Sequence, residues 1–238
     1  MKIWVNAFKQ FMVGLWNEVI LCVSLLAPIL TGLVIYFGVP YIEKLLCAYF
    51  KSSFIIKPYY PLLQLILICM PILMLVFINV MVVLEEMDNG TAKYLCVTPL
   101  GKKGYIMTRF FITSVLSMVY SFAVNFLFPL SSFTAIKCIV YCILFAMSGF
   151  LMGFFITEKS RNKVEGMALV KITCIVFLIS LSIPYFVTSK VQFVLSFFPP
   201  FWIGRTTCNF SIINISLATL SAVIWYMLLI RKFLKKIV

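Results

Sequence analysis

Between Lys57 and Glu85 the chain reads PYYPLLQLILICMPILMLVFINVMVVL (58–84), without one Asp, Glu, Lys, Arg or His. A hydrocarbon core about 30 Å thick is crossed by about 20 apolar residues in helix, and this run is longer than that. It lacks the strict in–out alternation of a strand in a membrane barrel. Lys57 stands at one end and Glu85-Glu86-Met87-Asp88 at the other. The stretch is therefore read as a membrane-spanning helix with a charge boundary at each end.

Moving outward from it, the same rule divides the rest of the chain. Uncharged runs cover Val19–Ile42, Phe110–Ile136, Cys138–Thr157, Ile172–Ser189 and Thr206–Ile230. With Lys171 near the end of its span, six spans follow, at about 19–39, 59–84, 105–128, 134–156, 167–186 and 211–230. Composition agrees: of 238 residues 63% are hydrophobic and 11% charged, with a mean hydropathy of +1.11. Soluble domains carry about 25% charged residues, so this chain could not cover a water-facing surface. The fold class expected is an all-α membrane protein. The absence of histidine excludes imidazole acid–base chemistry, Ser-His-Asp and Cys-His nucleophiles, and imidazole metal sites.

Orientation is read from Lys and Arg, which gather on the cytoplasmic side. With both termini inside, 14 basic residues lie inside (Lys2, Lys9, Lys93, Lys102, Lys103, Arg109, Lys159, Arg161, Lys163, Lys171, Arg231, Lys232, Lys235, Lys236). Six lie outside: Lys44, Lys51, Lys57, Lys137, Lys190 and Arg205. Glu18, Glu85, Glu86, Asp88, Glu158 and Glu165 fall inside, and Glu43 outside. The net charge of +13 is thus mainly a topology signal, and basic residues at span ends do not make a nucleic-acid groove. Residues 1–18 place Trp4, Phe8, Phe11 and Leu15 on one helical face, which suits an N-terminal amphipathic interfacial helix. A cytoplasmic extension of the first span is the other reading. A signal peptide is rejected, because the apolar run is too long and lacks a small-residue cleavage site.

Of eight cysteines, Cys22, Cys69, Cys138, Cys142 and Cys174 fall in spans and Cys96 falls inside. Cys47 and Cys208 lie outside in different loops, so a disulfide between them is open; no metal-ligand spacing is present. Within the spans, Gln64, Asn79 and Asn125 are uncharged polar residues. Interhelical hydrogen bonds are the cheaper use for them, and lining a substrate path is the alternative. Gly149-x-x-x-Gly153 allows a close helix approach, by default within the chain. Pro28, Pro71 and Pro184 can kink their helices. No buried carboxylate suggests a proton relay.

The first inward loop, 84–103, sets Glu85, Glu86 and Asp88 ahead of Gly90. Gly90 breaks the helix, Thr91 can cap the next one, and Pro99 after Thr98 stops it. The residues alone allow a short helix across the cytoplasmic face or a plain polar connector. The string Glu-x-x-x-x-Gly-Thr-x-x-x-Leu-x-x-Thr-Pro-Leu, Glu85 to Leu100, resembles the inward loop of ABC exporter permeases of the second type, the drug, antibiotic and polysaccharide export family. The resemblance implies a coupling helix that docks on a separate ABC ATPase subunit. Glu85, Glu86, Asp88, Gly90, Thr91, Thr98 and Pro99 would form it. Lys93 stands where the family often has an acid. The second inward loop, Glu158 to Gly166, is similar to the family's shorter inner loop, with Arg161 and Glu165 as a second contact; a solvated charge run is the other reading. The outward segment 187–210, with Phe197-Phe198-Pro199-Pro200-Phe201-Trp202, looks like the family's short re-entrant or interfacial element.

No Walker A pattern is present; Gly101-Lys102-Lys103-Gly104 lacks its spacing, so this chain is expected to hold no cofactor and not to be an enzyme. ATP and Mg would belong to the partner ATPase. The favoured function is the permease subunit of an ATP-driven exporter in a bacterial cell membrane, acting with membrane lipid around it and a second permease copy or a related chain, on hydrophobic or amphipathic cargo such as a drug, peptide antibiotic or lipid. A non-transporting six-span protein (immunity, scaffold or assembly partner) shares the topology but does not need the Gly-Thr…Thr-Pro loop. A membrane-embedded enzyme would need clustered reactive side chains inside the spans, and none is present.

Overall fold

In a computed structural model of the chain, residues 19–51, 53–98, 101–187 and 190–236 are described. The N-terminal helix expected over 1–18 and the stop at Pro99 lie outside them. The described residues form helices and connections only, with no strand among them. Six helices are long and apolar enough to cross a membrane: Val23–Phe50, Lys57–Asp88, Gly101–Leu127, Ala135–Lys159, Lys163–Phe186 and Ile212–Ile230.

The first span comprises α1 (Val19–Leu33), a π turn (Val34–Gly38) and α2 (Val39–Phe50). It continues past the expected end at 39. Pro40 lacks the N–H that a helix needs, and the π turn just before it is the local rearrangement that lets the helix pass. Val23, Leu26, Leu30, Val34, Phe37 and Tyr41 recur every three or four residues and are all exposed. In water that stripe would be unstable; in lipid it is the ordinary outer face of a span.

Helix α3 (Tyr60–Asp88) is the hub, packed against α1, α6 (Ile112–Leu127), α7 (Ala135–Lys159) and α8 (Lys163–Phe186). It is hydrophobic all round and buried along most of its length, as expected of a helix surrounded by other helices. Gly149 of α7 approaches it closely. A Cβ there would sit 2.6 Å from the Ile72 side chain, so the small residue sets the spacing within the chain. Between α3 and α6 lie α4 (Thr91–Val97), α5 (Gly101–Ile106) and a π turn (Met107–Phe111).

The stretch before the last span folds back into the bundle. A 3-10 segment (Lys190–Phe197) leads to α9 (Pro199–Cys208), which packs against α8 and α10 (Ile212–Lys236). Pro199 and Pro200 begin α9, where a missing N–H costs nothing. Ten residues rise only about 15 Å, half of a hydrocarbon core, yet Phe201, Ile203 and Thr206 are fully buried. Gly204 permits this: a Cβ there would lie 2.2 Å from the Leu181 carbonyl oxygen of α8. The Tyr185 and Thr207 hydroxyls bond to each other beside it.

Candidate functional site

The acids of the sequence motif sit where α3 ends and turns. Gly90 adopts φ +73°, a left-handed conformation that suits glycine, and directs the chain into α4. The Thr91 hydroxyl donates to the Glu86 carbonyl at 3.1 Å and makes no cap for α4. It thus satisfies one of the open carbonyls at the end of α3, which corrects its expected capping role. At the other end of α4, the Thr98 hydroxyl donates to the Leu95 carbonyl at 2.6 Å. Gly101, at φ +64°, then starts α5.

Each of the three acids is held within the chain. Glu86 pairs with Arg109, whose Nε donates to its carboxylate at 3.1 Å and whose second nitrogen also bonds it. The Tyr105 hydroxyl donates to the same carboxylate at 2.9 Å. Arg109 lies in the π turn and is 3% exposed, and Tyr105 is fully buried. A guanidinium so buried needs that carboxylate, since removing one partner of a buried pair costs about 3–5 kcal/mol. Glu85 accepts from the Lys163 ammonium at 2.9 Å, and Asp88 accepts the Lys163 backbone N–H at 3.1 Å. Lys163 is the first residue of α8, so Asp88 satisfies an open donor at a helix N-terminus. The two loops that the sequence places on one side thus meet.

The second loop spends its polar groups on itself in the same way. Asn162 caps α8 by accepting the Glu165 N–H at 2.9 Å, and the Glu165 carboxylate accepts the Arg161 N–H at 2.8 Å. This reciprocal cap starts α8 four residues before the expected 167. The Asn162-x-x-Glu165 pattern was the available signal. Gly166 completes the junction, since a Cβ there would meet the Leu84 side chain at 2.1 Å. Sequence reasoning missed Tyr105, Arg109 and Lys163 as site residues, and it read Glu86 as a surface contact rather than half of a buried pair.

Asp88 and Glu165 stay exposed at the junction, while the open face of α4 and α5 is mainly apolar and basic. Tyr94 is 71% and Val97 88% exposed on α4, while Ala92 is buried beneath it. Lys93, Lys102 and Lys103 are exposed on α4 and on α5, which pack together. Burial raises the Cys96 thiol above its ordinary range, with Lys102 opposing the rise and Glu86 adding to it.

The intramembrane polar residues separate into two places. Gln64 and Asn125 come together: the Gln64 amide donates to Asn125, and its oxygen accepts the Leu130 and Ser131 N–H groups at 2.7 and 3.2 Å. They tie the end of α6 to the start of α3. Asn79 stands apart, its oxygen buried without a hydrogen-bond partner beside a cavity of about 10 Å³ lined in part by Thr113, Ser117 and Gly149. A larger apolar cavity of about 180 Å³ opens between α7, α8, α9 and α10, bordered by Met152, Phe155, Phe177, Pro200 and Trp225. Cys47 and Cys208 are both free thiols. Cys47 faces Glu43, and Cys208 faces the Pro184 carbonyl, so the pairing left open by the sequence is not made.

Comparison with known proteins adds one finding. No curated protein and no solved structure matches the chain. The profile of a family described as fluoroquinolones export permease protein Rv2686c-like matches residues 11–234, nearly the whole chain. With six apolar helices and that match, the chain is a multi-pass membrane protein and belongs to this export permease family, which is of the ABC-2 type.

Proposed function

We propose that the chain is the membrane-spanning subunit of an ATP-driven exporter, with ATP and Mg bound by a separate ABC ATPase subunit. Two copies, or this chain and a related permease, surround the pathway. Both termini and the loops at 84–103 and 158–166 face the cytoplasm, in keeping with the 14-to-6 distribution of basic residues. The observation that carries the reading is the junction of α3, α4, α5 and α8. A short helix follows a glycine turn and packs Ala92 into the core, and the end of α3 that carries it is tied to two different spans through Glu86–Arg109 and Glu85–Lys163.

Such a junction can transmit load. When two ATPase subunits close on ATP, a push on α4 reaches α5 and α6 through Arg109 and reaches α8 through Lys163. The inner ends of these helices then move together with the end of α3, to which the ion pairs tie them, and that tilt opens the pathway on the opposite side. The cargo is hydrophobic or amphipathic, and the cavity of about 180 Å³, with its aromatic and aliphatic lining, offers an apolar wall to part of such a molecule. The test is purification of the tagged chain in mild detergent from its own cells. Mg-ATP hydrolysis should elute with it, and the double substitution Tyr94→Ser with Val97→Ser should remove that activity. A purified chain that binds the cargo but never carries ATPase activity contradicts the proposal.

A further inference from the structure

Of the three acids at the coupling loop, Glu86, enclosed by Arg109 and Tyr105, and Glu85, paired with Lys163, are spent within the chain. Asp88, though exposed, has one oxygen on the first N–H of α8. The projecting surface instead combines two exposed apolar side chains, Tyr94 and Val97, with the exposed Lys93, Lys102 and Lys103. α5 packs against α4, which puts its lysines beside the α4 face. Among the described residues no carboxylate pairs with any of these three lysines.

From this we infer that the partner seated on α4 and α5 presents an apolar socket with an acidic rim. The inference rests on the ATPase-docking reading above and adds the polarity of the contact. Tyr94 and Val97 enter the socket, and the lysines meet Asp or Glu side chains around it. Charge complementarity of this kind steers association and rejects partners of the wrong sign. Anionic lipid headgroups would also attract lysines, but α3 argues for a protein. Its 29 residues rise about 43 Å, against about 30 Å for a hydrocarbon core, so α3 is long enough to carry α4 clear of the hydrocarbon.

The experiment uses the full chain co-purified with its ATPase subunit in detergent, comparing wild type with two sets of variants. One set reverses charge (Lys93→Glu, Lys102→Glu and Lys103→Glu together); the other removes the apolar contact (Tyr94→Ser with Val97→Ser). These side chains are exposed, and a single sharp gel-filtration peak confirms that the variants fold. ATPase retained by the wild type should fall as salt rises, and the charge-reversed chain should retain about tenfold less or lower at low salt. Neutral Gln at the same three positions should lie between. Unchanged retention by the charge-reversed chain, with loss in the apolar variant, overturns the acidic rim while docking stands. Retention unaffected in both sets overturns docking at this surface as well. Loss of co-purifying phosphatidylglycerol without loss of ATPase assigns the lysines to lipid and also overturns the inference.

Discussion

Glu86 follows an uncharged run and looks in the sequence like a solvated end-of-span acid, yet it carries the two strongest demands at the junction. Arg109, 3% exposed, has its charge answered there, and the buried Tyr105 hydroxyl donates to the same carboxylate. Glu86→Gln should therefore cost about 3–5 kcal/mol, because it removes the carboxylate that the buried guanidinium and the Tyr105 hydroxyl both bond. Removing the whole group (Glu86→Leu with Arg109→Leu and Tyr105→Phe) should recover most of that loss, as buried pairs replaced by apolar residues often do. Thermal unfolding in detergent reads both, and a triple variant no more stable than the single one contradicts the account. Nearby, the Cys96 thiol is raised by burial. With the other cysteines replaced by alanine, maleimide labelling at Cys96 should be slower at pH 8 than at an ordinary exposed thiol. Its rate should still climb where the reference levels off, because less thiolate is present at each pH. The pairing of Glu86 with Arg109 was not legible in sequence. The two are 23 positions apart, and their contact depends on how the turn at Gly90 and the π turn at Met107–Phe111 fold the chain back.

At the scale of elements, glycines decide where helices meet, and they divide into two kinds. Gly204 is a contact glycine facing backbone. Gly204→Ala puts a methyl 2.2 Å from the Leu181 carbonyl oxygen, so α9 must move off α8, at a cost of about 1–3 kcal/mol. Gly153→Ala should be tolerated, since its nearest neighbour is the Phe110 ring at 3.4 Å. Equal melting temperatures for the two variants would contradict this packing. Gly90 is a conformational glycine with open space around it. Gly90→Ala should lose about 1–2 kcal/mol through the left-handed backbone alone, and Gly90→Asn less. The six spans were legible because the interval between charges measures a bilayer directly. Their ends were less so: the first span runs on to Phe50 through a π turn, and α8 begins at Lys163 on a cap. Both are local backbone arrangements that hydropathy does not register. The Gly149-x-x-x-Gly153 motif and the proline-started α9 could be found in sequence but not aimed; their partners, Ile72 and Leu181, come from the packing of distant helices.

For the molecule as a whole, scarcity of charge explains much of the design. The hub helix α3 carries no charge until Glu85, and then three acids arrive within four residues. They fasten the π turn ahead of α6 and the start of α8, leaving a basic and apolar helix exposed beyond them. The resemblance of the 84–103 loop to the inward loop of ABC exporter permeases was legible in the sequence, while the use of its acids for internal bracing was not. That use depends on Lys163 and Arg109, which sequence spacing does not bring to the loop. The central claim is that α4 passes the work of a separate ATPase to the spans. It is tested most directly by ATP-driven efflux of a fluorescent fluoroquinolone from vesicles holding the chain and its ATPase. Efflux should require Mg-ATP, and Tyr94→Ser with Val97→Ser should abolish it while the drug still binds the folded chain. Undiminished ATP-driven efflux through that variant would contradict the account.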